Sequence, residues 1–239
     1  MKLSIIIPVY NEEKTVRKIL DKVIDLQITG VEKEIIIVND GSTDKTQAEI
    51  KKFMKHKRGE IIVLSHKSNK GKGSAVILGI QKAKGTHIII QDADLEYNPD
   101  EIKNLVVSVR KKLGDVIYGT RLKRLPHFRN EEKTFRFMTH YFGNRILSFM
   151  TSMLYGQWIT DMETCYKLFP KKAVEHLKIR ARGFEFEPEI TAKLLKQKLK
   201  IYEVPINATP RGYREGKKLR TVHDGMKAVI MLIKYRFVD

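Results

Sequence analysis

The chain has 239 residues, of which 42% are hydrophobic and 31% are charged, and its formal net charge at pH 7 is +18. This length and composition indicate a soluble globular protein with room for a real core. The single cysteine, Cys165, excludes an intrachain disulfide and a cysteine metal cluster. The large positive charge predicts an anionic partner.

The apolar runs near the two ends of the chain are short. Residues 3–9 are too few for a secretory core and end in polar residues, and residues 228–233 are bounded by Lys227 and Lys234. A helix needs about 20 apolar residues to cross a bilayer. We therefore expect no export signal and no transmembrane span in this chain.

From residue 1 to about 120, short β-branched runs alternate with amphipathic stretches, which predicts a β-α-β-α order and a mainly parallel sheet flanked by helices. No repeat, low-complexity tract or Gly/Ser linker interrupts the chain, so we expect one domain over residues 1–239. The predicted strands are residues 3–9, 34–39, 61–65, 87–91 and 115–119.

Three acidic side chains, Asp92, Asp94 and Glu96, follow the predicted strand 87–91 at alternate positions. Ligands of open α/β sheets collect outside the carboxyl ends of the strands. Carboxylates gathered there are suited to a hard divalent cation. The alternative is a solvated acidic turn before a helix that starts near Pro99.

The first two predicted strands end at the same edge of the sheet as Asp92. Pro8 cannot donate to a strand ladder and marks the end of the first strand. Asp40, at the end of the second strand, can accept hydrogen bonds from a base edge or a ribose hydroxyl. The segment from Asp40 to Ser42 is also a good turn and helix cap, which is a purely structural explanation.

Three motifs in combination, Ile-Pro-Val-Tyr-Asn-Glu, Asn-Asp-Gly-Ser-Thr-Asp and Asp-Ala-Asp, resemble family 2 glycosyltransferases with the GT-A fold. The resemblance implies an α/β GT-A fold and a nucleotide-sugar donor. It also implies a bound Mg²⁺ or Mn²⁺, held by Asp94 with Glu96 and Asp92. Its donor-binding positions are Pro8, Tyr10, Asn11, Glu12, Asp40, Asp92, Ala93 and Asp94.

A glycine- and lysine-rich loop at residues 69–74 precedes an apparent helix. It lacks the spacing of a Walker A loop. Lys72 is a candidate contact to the donor diphosphate, and a structural loop with solvated lysines is the alternative. Residues 184–189 carry further acids that either contact hydroxyls of the donor sugar or favour a helix N-terminus.

The second half resembles the branch that contains dolichyl-phosphate mannose synthases, through Gly-Thr-Arg at residues 119–121 and the stretches 160–167 and 211–219. The resemblance implies that Arg121 and Arg136 meet a lipid phosphate and that Arg211 with Lys218 closes over the donor diphosphate. Lys217 and Glu96 depart from the branch, which usually has Ser and Gln at these positions, so a mannose donor is not implied.

Asp161 is the candidate catalytic carboxylate beside Asp94. A phosphate acceptor is already anionic, so Asp161 would orient it or take its last proton. The alternative is that Asp161 caps a helix or pairs with a nearby lysine.

Residues 125–158 mix arginines with aromatic and methionine side chains, and residues 222–239 have an amphipathic helical pattern. Such helices can lie in a membrane interface, where apolar side chains enter the acyl region and cations meet anionic headgroups. The alternative for residues 125–158 is a helix packed on the sheet with a basic outer face.

The sequence therefore predicts an inverting, metal-dependent transfer of mannose or glucose from a GDP- or UDP-sugar to a dolichyl or polyprenyl phosphate. The expected site of action is the cytoplasmic face of a membrane, with the protein peripheral. We assign residues 1–120 to the donor and 121–221 to the acceptor. The alternatives are a soluble glycan acceptor and, more remotely, a basic nucleic-acid-binding protein.

Overall fold

The computed structural model describes residues 1–55, 59–121, 135–209 and 221–238, with the side chains of residues 135–140 and 221–223 left out. Its described strands are β1 Lys2–Val9, β2 Glu32–Asn39, β3 Glu60–Ser65, β4 His87–Ile90, β5 Val116–Thr120, β6 Lys167–Pro170 and β7 Ile201–Pro205. Its described helices are α1 Val16–Asp25, α2 Thr46–Met54, α3 Lys72–Lys82, α4 Ile102–Arg110, α5 Phe135–Tyr155, α6 Phe186–Lys196 and α7 Thr221–Phe237.

The strands form one sheet in the order β3-β2-β1-β4-β6-β5-β7. Strands β1 to β4 are parallel, β6 is antiparallel to both neighbours, and β5 and β7 are parallel to each other. The predicted α/β class with a mainly parallel sheet is confirmed. All five predicted strands are present with ends that differ by at most two residues.

The apolar spacing of the sequence accounts for the helices that cover the sheet. Val16, Ile19, Leu20 and Val23 of α1 are fully buried, as expected for one face of a helix. The central strands are buried on both sides, so they consist of nearly continuous β-branched runs.

Two strands, β6 and β7, were not predicted. β6 has only four residues and begins with Lys167, which a local pattern assigns to the surface. Its insertion between β4 and β5 reverses the direction of one strand in an otherwise parallel sheet.

The sheet changes winding direction at β1, which has β2 on one side and β4 on the other. Chain segments that leave two neighbouring parallel strands at such a point diverge and create a crevice. Here the segments after β1 and β4 carry the predicted polar motifs, and therefore the fold positions them around one crevice.

The stretch 125–158, expected to hold interfacial helices, contains one continuous helix, α5, in its described part. Residues 122–134 lie outside the described part of the chain, and so do residues 210–220. Helix α7 spans Thr221–Phe237, where an amphipathic helix is expected over residues 222–239.

Candidate active site

A cavity of about 560 Å³ lies at the crevice beyond β1 and β4. Its wall contains residues from both halves of the chain, including the segments after these strands, the start of α3, and faces of α5 and α7. Among the predicted site residues, the cavity is lined by Pro8, Tyr10, Glu12, Asp40, Lys72, Asp92, Ala93, Asp94, Glu96 and Arg121.

Five other predicted residues do not belong to the described wall. Asn11 accepts a hydrogen bond from the Thr43 N–H at 2.8 Å, so its side chain joins the loops after β1 and β2. Asp161 lies behind Arg121 rather than on the cavity surface. The side chain of Arg136 and all of Arg211 and Lys218 lie outside the described residues.

The acidic turn after β4 directs two carboxylates to the cavity. Asp94 Oδ1 accepts a hydrogen bond from the Glu96 N–H at 3.0 Å. Between them, Leu95 has a φ of 67°, a left-handed conformation that costs a non-glycine residue about 1–3 kcal/mol. Because both Asp94 and Glu96 line the cavity, the structure favours the ligand-binding interpretation over a solvated turn.

Asp92 instead belongs to a chain of alternating charges that begins in the cavity wall. Lys72 Nζ lies 2.9 Å from Asp92 Oδ1 and 3.2 Å from Glu187 Oε1. The other oxygen of Glu187 is 2.6 Å from Nζ of Lys167, a side chain with no exposed surface. Lys167 also donates to the carbonyl oxygens of Met162 and Thr164. Burial of each charge is thus compensated by an opposite charge and by hydrogen bonds.

The electrostatics of this chain keep Lys72 and Asp92 ionised at neutral pH. Burial alone would lower the pKa of Lys72, but the charges of Asp92 and Glu187 outweigh it and raise that pKa well above its usual value. Burial likewise opposes ionisation of Asp92, and Lys72 outweighs it so that the pKa of Asp92 is lowered. Lys72 is therefore a fixed positive charge in the cavity wall.

Gly71 and Gly73, at the start of α3, have a packing role. A Cβ at Gly71 would lie 2.4 Å from the Arg182 carbonyl oxygen, and one at Gly73 would lie 2.7 Å from that of Ala181. The N–H groups of Gly73 and Ser74 donate to the carbonyl oxygens of Gly183 and Arg182. The loop therefore packs against residues 181–183, and its lysine at position 72 reaches the cavity.

Asp40 is held by its own chain. Its carboxylate accepts hydrogen bonds from the N–H groups of Lys70 and Gly71 at 3.0 and 2.8 Å, and His66 Nδ1 lies 2.6 Å from Oδ1. These contacts give Asp40 a structural role that differs from the predicted turn and helix cap: it anchors the loop that leads to Lys72, and the N-cap of α2 is Lys45. Asp40 also lines the cavity, so a contact to a bound nucleoside stays a prediction.

Arg121 and Asp161 form a buried, two-pronged ion pair. Arg121 donates from Nε to Asp161 Oδ2 and from Nη2 to Oδ1, both at 2.8 Å, and its backbone N–H donates to Oδ2 at 2.9 Å. Asp161 has no exposed surface, whereas the Arg121 side chain is 21% exposed and lines the cavity. The alternative for Asp161 was a helix cap or a lysine partner; among the described residues Asp161 instead forms an ion pair with Arg121. This geometry fixes the direction of the guanidinium.

The carboxylates of Asp94 and Glu96 fit a Mg²⁺ or Mn²⁺ ion. These hard cations prefer oxygen ligands, and Mg²⁺ commonly takes one or two protein carboxylates together with substrate phosphates and water. The described residues contain no group of three or more His, Cys, Asp or Glu side chains arranged for a metal. Asp92 is the least suited of the three predicted ligands, because Lys72 Nζ lies within 3.0 Å of both its oxygens.

The cavity wall also contains residues that sequence reasoning did not name as site residues, among them Tyr97, Glu163 and Cys165. Tyr97 packs against Tyr166 with ring centroids 4.8 Å apart, and its hydroxyl accepts from the Cys165 N–H. Glu163 and Cys165 belong to the stretch 160–167, whose polar residues and proximity to Asp161 were the available signal. Cys165 is buried, as a small apolar side chain would be.

Solved structures identify the fold. Glucosyl-3-phosphoglycerate synthase from Mycobacterium tuberculosis, in complex with Mn²⁺, UDP and glucosyl-3-phosphoglycerate, superposes with a TM-score of 0.74 at 17% identity and covers 100% of this chain and 81% of that one. The same enzyme in complex with UDP gives a TM-score of 0.72 at 16% identity with the same coverage. The class is thus a mixed α/β protein with the GT-A fold.

Sequence comparison identifies the family. The chain belongs to glycosyl transferase family 2, whose family model matches residues 4–178. A UDP-N-acetylglucosamine–dolichyl-phosphate N-acetylglucosaminyltransferase from Methanococcus voltae is 33% identical over 220 residues, covering 85% of this chain and 84% of that protein. A dolichol-phosphate mannosyltransferase from Pyrococcus furiosus is 28% identical, covering 98% of this chain and 64% of that protein. The protein is accordingly an enzyme, a hexosyltransferase.

Proposed function

We propose that the protein transfers a hexosyl group, with inversion, from a nucleoside-diphosphate sugar to a polyprenyl phosphate at a membrane surface, with a divalent cation at Asp94 and Glu96. One observation carries this proposal. The cavity has a charged end at the strand termini and an apolar wall from α5 and α7, which includes Ile146, Leu147 and Val229. A lipid phosphate likewise combines an anionic phosphate with an apolar chain.

The apolar wall continues onto the outer surface. Ile146 and Met226 line the cavity and are also 59% and 64% exposed. Each belongs to a row of exposed apolar side chains that recur at i, i+4, i+7 and i+11, the spacing of one helix face. We call these rows the apolar face: Phe142, Ile146, Phe149 and Met153 on α5, and Met226, Ile230, Ile233 and Phe237 on α7.

Exposed cations accompany the apolar face. Arg145 on α5 and Lys227, Lys234 and Arg236 on α7 are exposed. Basic side chains beside an apolar helix face favour an anionic lipid surface, at about 1 kcal/mol for each Lys or Arg. In the parts of the chain that the structure describes, no helix is both long and apolar enough to cross a membrane. We therefore propose that the protein associates with a membrane through the apolar face. Its location on the cytoplasmic side of that membrane stays a prediction.

The site chemistry is consistent with transfer between two phosphates. A divalent cation bound at Asp94 and Glu96 would stabilise the charge that builds on the departing diphosphate. Lys72 adds a fixed positive charge to the same wall. Arg121, oriented by Asp161, offers a planar guanidinium suited to a phosphate acceptor. Opposed phosphate sites would bring the acceptor oxygen close to the sugar, and proximity supplies much of the rate.

The relatives support the choice of a polyprenyl phosphate acceptor more than they support any one sugar donor. Two of them carry names that include dolichyl or dolichol phosphate, but one name specifies UDP-N-acetylglucosamine and the other mannosyl transfer. We therefore propose the polyprenyl phosphate as acceptor and test the donor by a panel. That panel adds UDP-N-acetylglucosamine to the predicted UDP-glucose and GDP-mannose.

The decisive assay incubates the purified protein with each radiolabelled donor, with Mn²⁺ or EDTA, and with polyprenyl phosphate in vesicles. We expect label in the solvent-extracted lipid with one donor and only with the metal. Transfer to a water-soluble glycan with no labelled lipid would contradict the proposal and favour a glycan acceptor.

A vesicle sedimentation experiment tests the apolar face separately. Phe149→Glu combined with Ile230→Glu places two charges in the apolar face and should reduce binding to vesicles that contain anionic lipid. Val107→Glu is the matched control, because Val107 is a 44% exposed apolar residue on α4, outside this face. Equal vesicle binding by the double variant and the control would refute the membrane contact.

A further inference from the structure

Glu163 has an incompletely satisfied carboxylate in the wall of the cavity. Its Oε1 is buried and has no hydrogen-bond partner among the described residues. A buried carboxylate oxygen without a donor is costly, and native proteins rarely keep one without a reason. A ligand in the cavity that brings a hydrogen-bond donor would remove this cost.

The position of Glu163 indicates which part of a ligand it would meet. The charges of two buried ion pairs, Lys167–Glu187 and Arg121–Asp161, both act on its carboxyl, so Glu163 lies near both pairs. In the proposed function, the acceptor phosphate lies at Arg121 and the donor diphosphate at the acidic turn. The transferred sugar must lie between these two phosphates, and Glu163 lines the same cavity.

We propose that Glu163 accepts a hydrogen bond from a hydroxyl or amide N–H of the transferred hexose and is a specificity-determining residue for the donor sugar. This inference rests on the proposed function. Sugar hydroxyls are hydrogen-bond donors that suit a carboxylate, and a hydrogen bond to a charged acceptor is among the stronger ones. A site built around such a group rejects sugars that lack the matching donor.

The electrostatics of Glu163 agree with this geometry. Burial is the main influence and raises its pKa to about 7, with Lys167 opposing the rise and Glu187 adding to it. A carboxyl that is costly to ionise in the free protein gains from a hydrogen-bond donor supplied by the ligand.

Calorimetric titration with sugar nucleotides and with the bare nucleotides tests the inference. The probes are UDP-N-acetylglucosamine, UDP-glucose and GDP-mannose, and UDP and GDP as the sugar-free counterparts. Glu163→Ala should weaken binding of the preferred sugar nucleotide about 10- to 100-fold, the range expected for a hydrogen bond to a charged group. Binding of the corresponding UDP or GDP should change less than about twofold, because only the sugar meets Glu163.

The control is Glu175→Gln, a carboxylate whose one described partner is His176, a side chain that is 90% exposed. Removal of a poorly satisfied carboxylate should not unfold the protein, and Glu163→Gln keeps the side-chain volume as a second variant. If wild type binds a sugar nucleotide and Glu163→Ala binds it equally well, the inference is wrong and the proposed function stands. If wild type binds none of the five nucleotides, the proposed function fails and the inference fails with it.

Discussion

Replacement of Asp161 by asparagine should cost more stability than almost any other isosteric change in the described part of the chain. Asp161 is fully buried and faces a guanidinium with two contacts of 2.8 Å. Two unit charges about 4 Å apart interact by about 4 kcal/mol at an effective dielectric constant of 20. Loss of one partner from a buried pair costs about 3–5 kcal/mol in other proteins. Asparagine keeps one oxygen acceptor, so we expect a loss of about 3 kcal/mol.

Urea unfolding of a double-mutant cycle measures this interaction. The cycle comprises wild type, Asp161→Asn, Arg121→Met and the double variant, and it should give a coupling free energy of about 2–3 kcal/mol. Asp100→Asn is the control, because Asp100 pairs with Lys103 on the surface and exposed pairs contribute less than about 1 kcal/mol. A coupling below about 0.5 kcal/mol would show that the pair does not stabilise the fold.

The same variant separates two roles for Asp161 in turnover. If Asp161 positions Arg121, Asp161→Asn should raise the KM for polyprenyl phosphate about tenfold, because one charge contact to the phosphate is weakened. The pH profile of kcat should not change. If Asp161 takes a proton from the acceptor, kcat should instead fall by 10²-fold or more and lose its acidic limb. The three donated hydrogen bonds from Arg121 favour the first result.

Three further changes test other parts of the site. Asp94→Ala should abolish the metal-dependent transfer without altering the circular dichroism spectrum, whereas the exposed control Asp25→Ala should retain full activity. Lys72→Met removes the cation that Asp92 shares with buried Glu187, which keeps Lys167 as a partner, so it should lower the urea-measured free energy of unfolding by about 3 kcal/mol, the lower end for a buried pair; an unchanged midpoint would refute the ion chain. Glu163→Gln should stabilise the protein by about 1–2 kcal/mol at pH 8 and by little at pH 4, as measured by thermal unfolding. The native carboxyl, with a pKa raised to about 7, keeps a proton that the unfolded chain loses near pH 4.5. The stability of the wild type therefore falls as the pH rises from about 4.5 to about 7, and the glutamine variant does not have this loss.

Much of the donor side could be predicted because it depends on local pattern. Continuous β-branched runs identify the central strands, and polar residues placed directly after them must gather at one edge of a parallel sheet. This reasoning brings Pro8, Asp40 and the turn from Asp92 to Glu96 to the same cavity, as observed. The polar residues at the end of a strand can therefore be predicted from one short segment of sequence.

The charge partnerships could not be predicted, because they join segments far apart in the sequence. Lys72 meets Glu187 across 115 positions, and Arg121 meets Asp161 across 40. Lys167 was missed for a related reason: a lysine at the start of a four-residue strand looks exposed until Glu187 is placed beside it. The glycines at 71 and 73 were equally ambiguous, since their need for space comes from residues 181–183.

These long-range pairs set two cations apart from the many others of this strongly basic chain. Lys72 and Arg121 are each held by a buried carboxylate, Glu187 and Asp161 respectively, so their positive charges are fixed in the cavity wall before any substrate arrives. Fixed charges stabilise developing charge without the reorganisation that water or a mobile lysine would require. The exposed cations beside the apolar face have a different role. Their attraction to anionic lipid depends on how many there are rather than on their exact placement. The molecule therefore separates its cations into a few that are oriented and buried and many that are solvated, and only the first group is expected to discriminate between substrates.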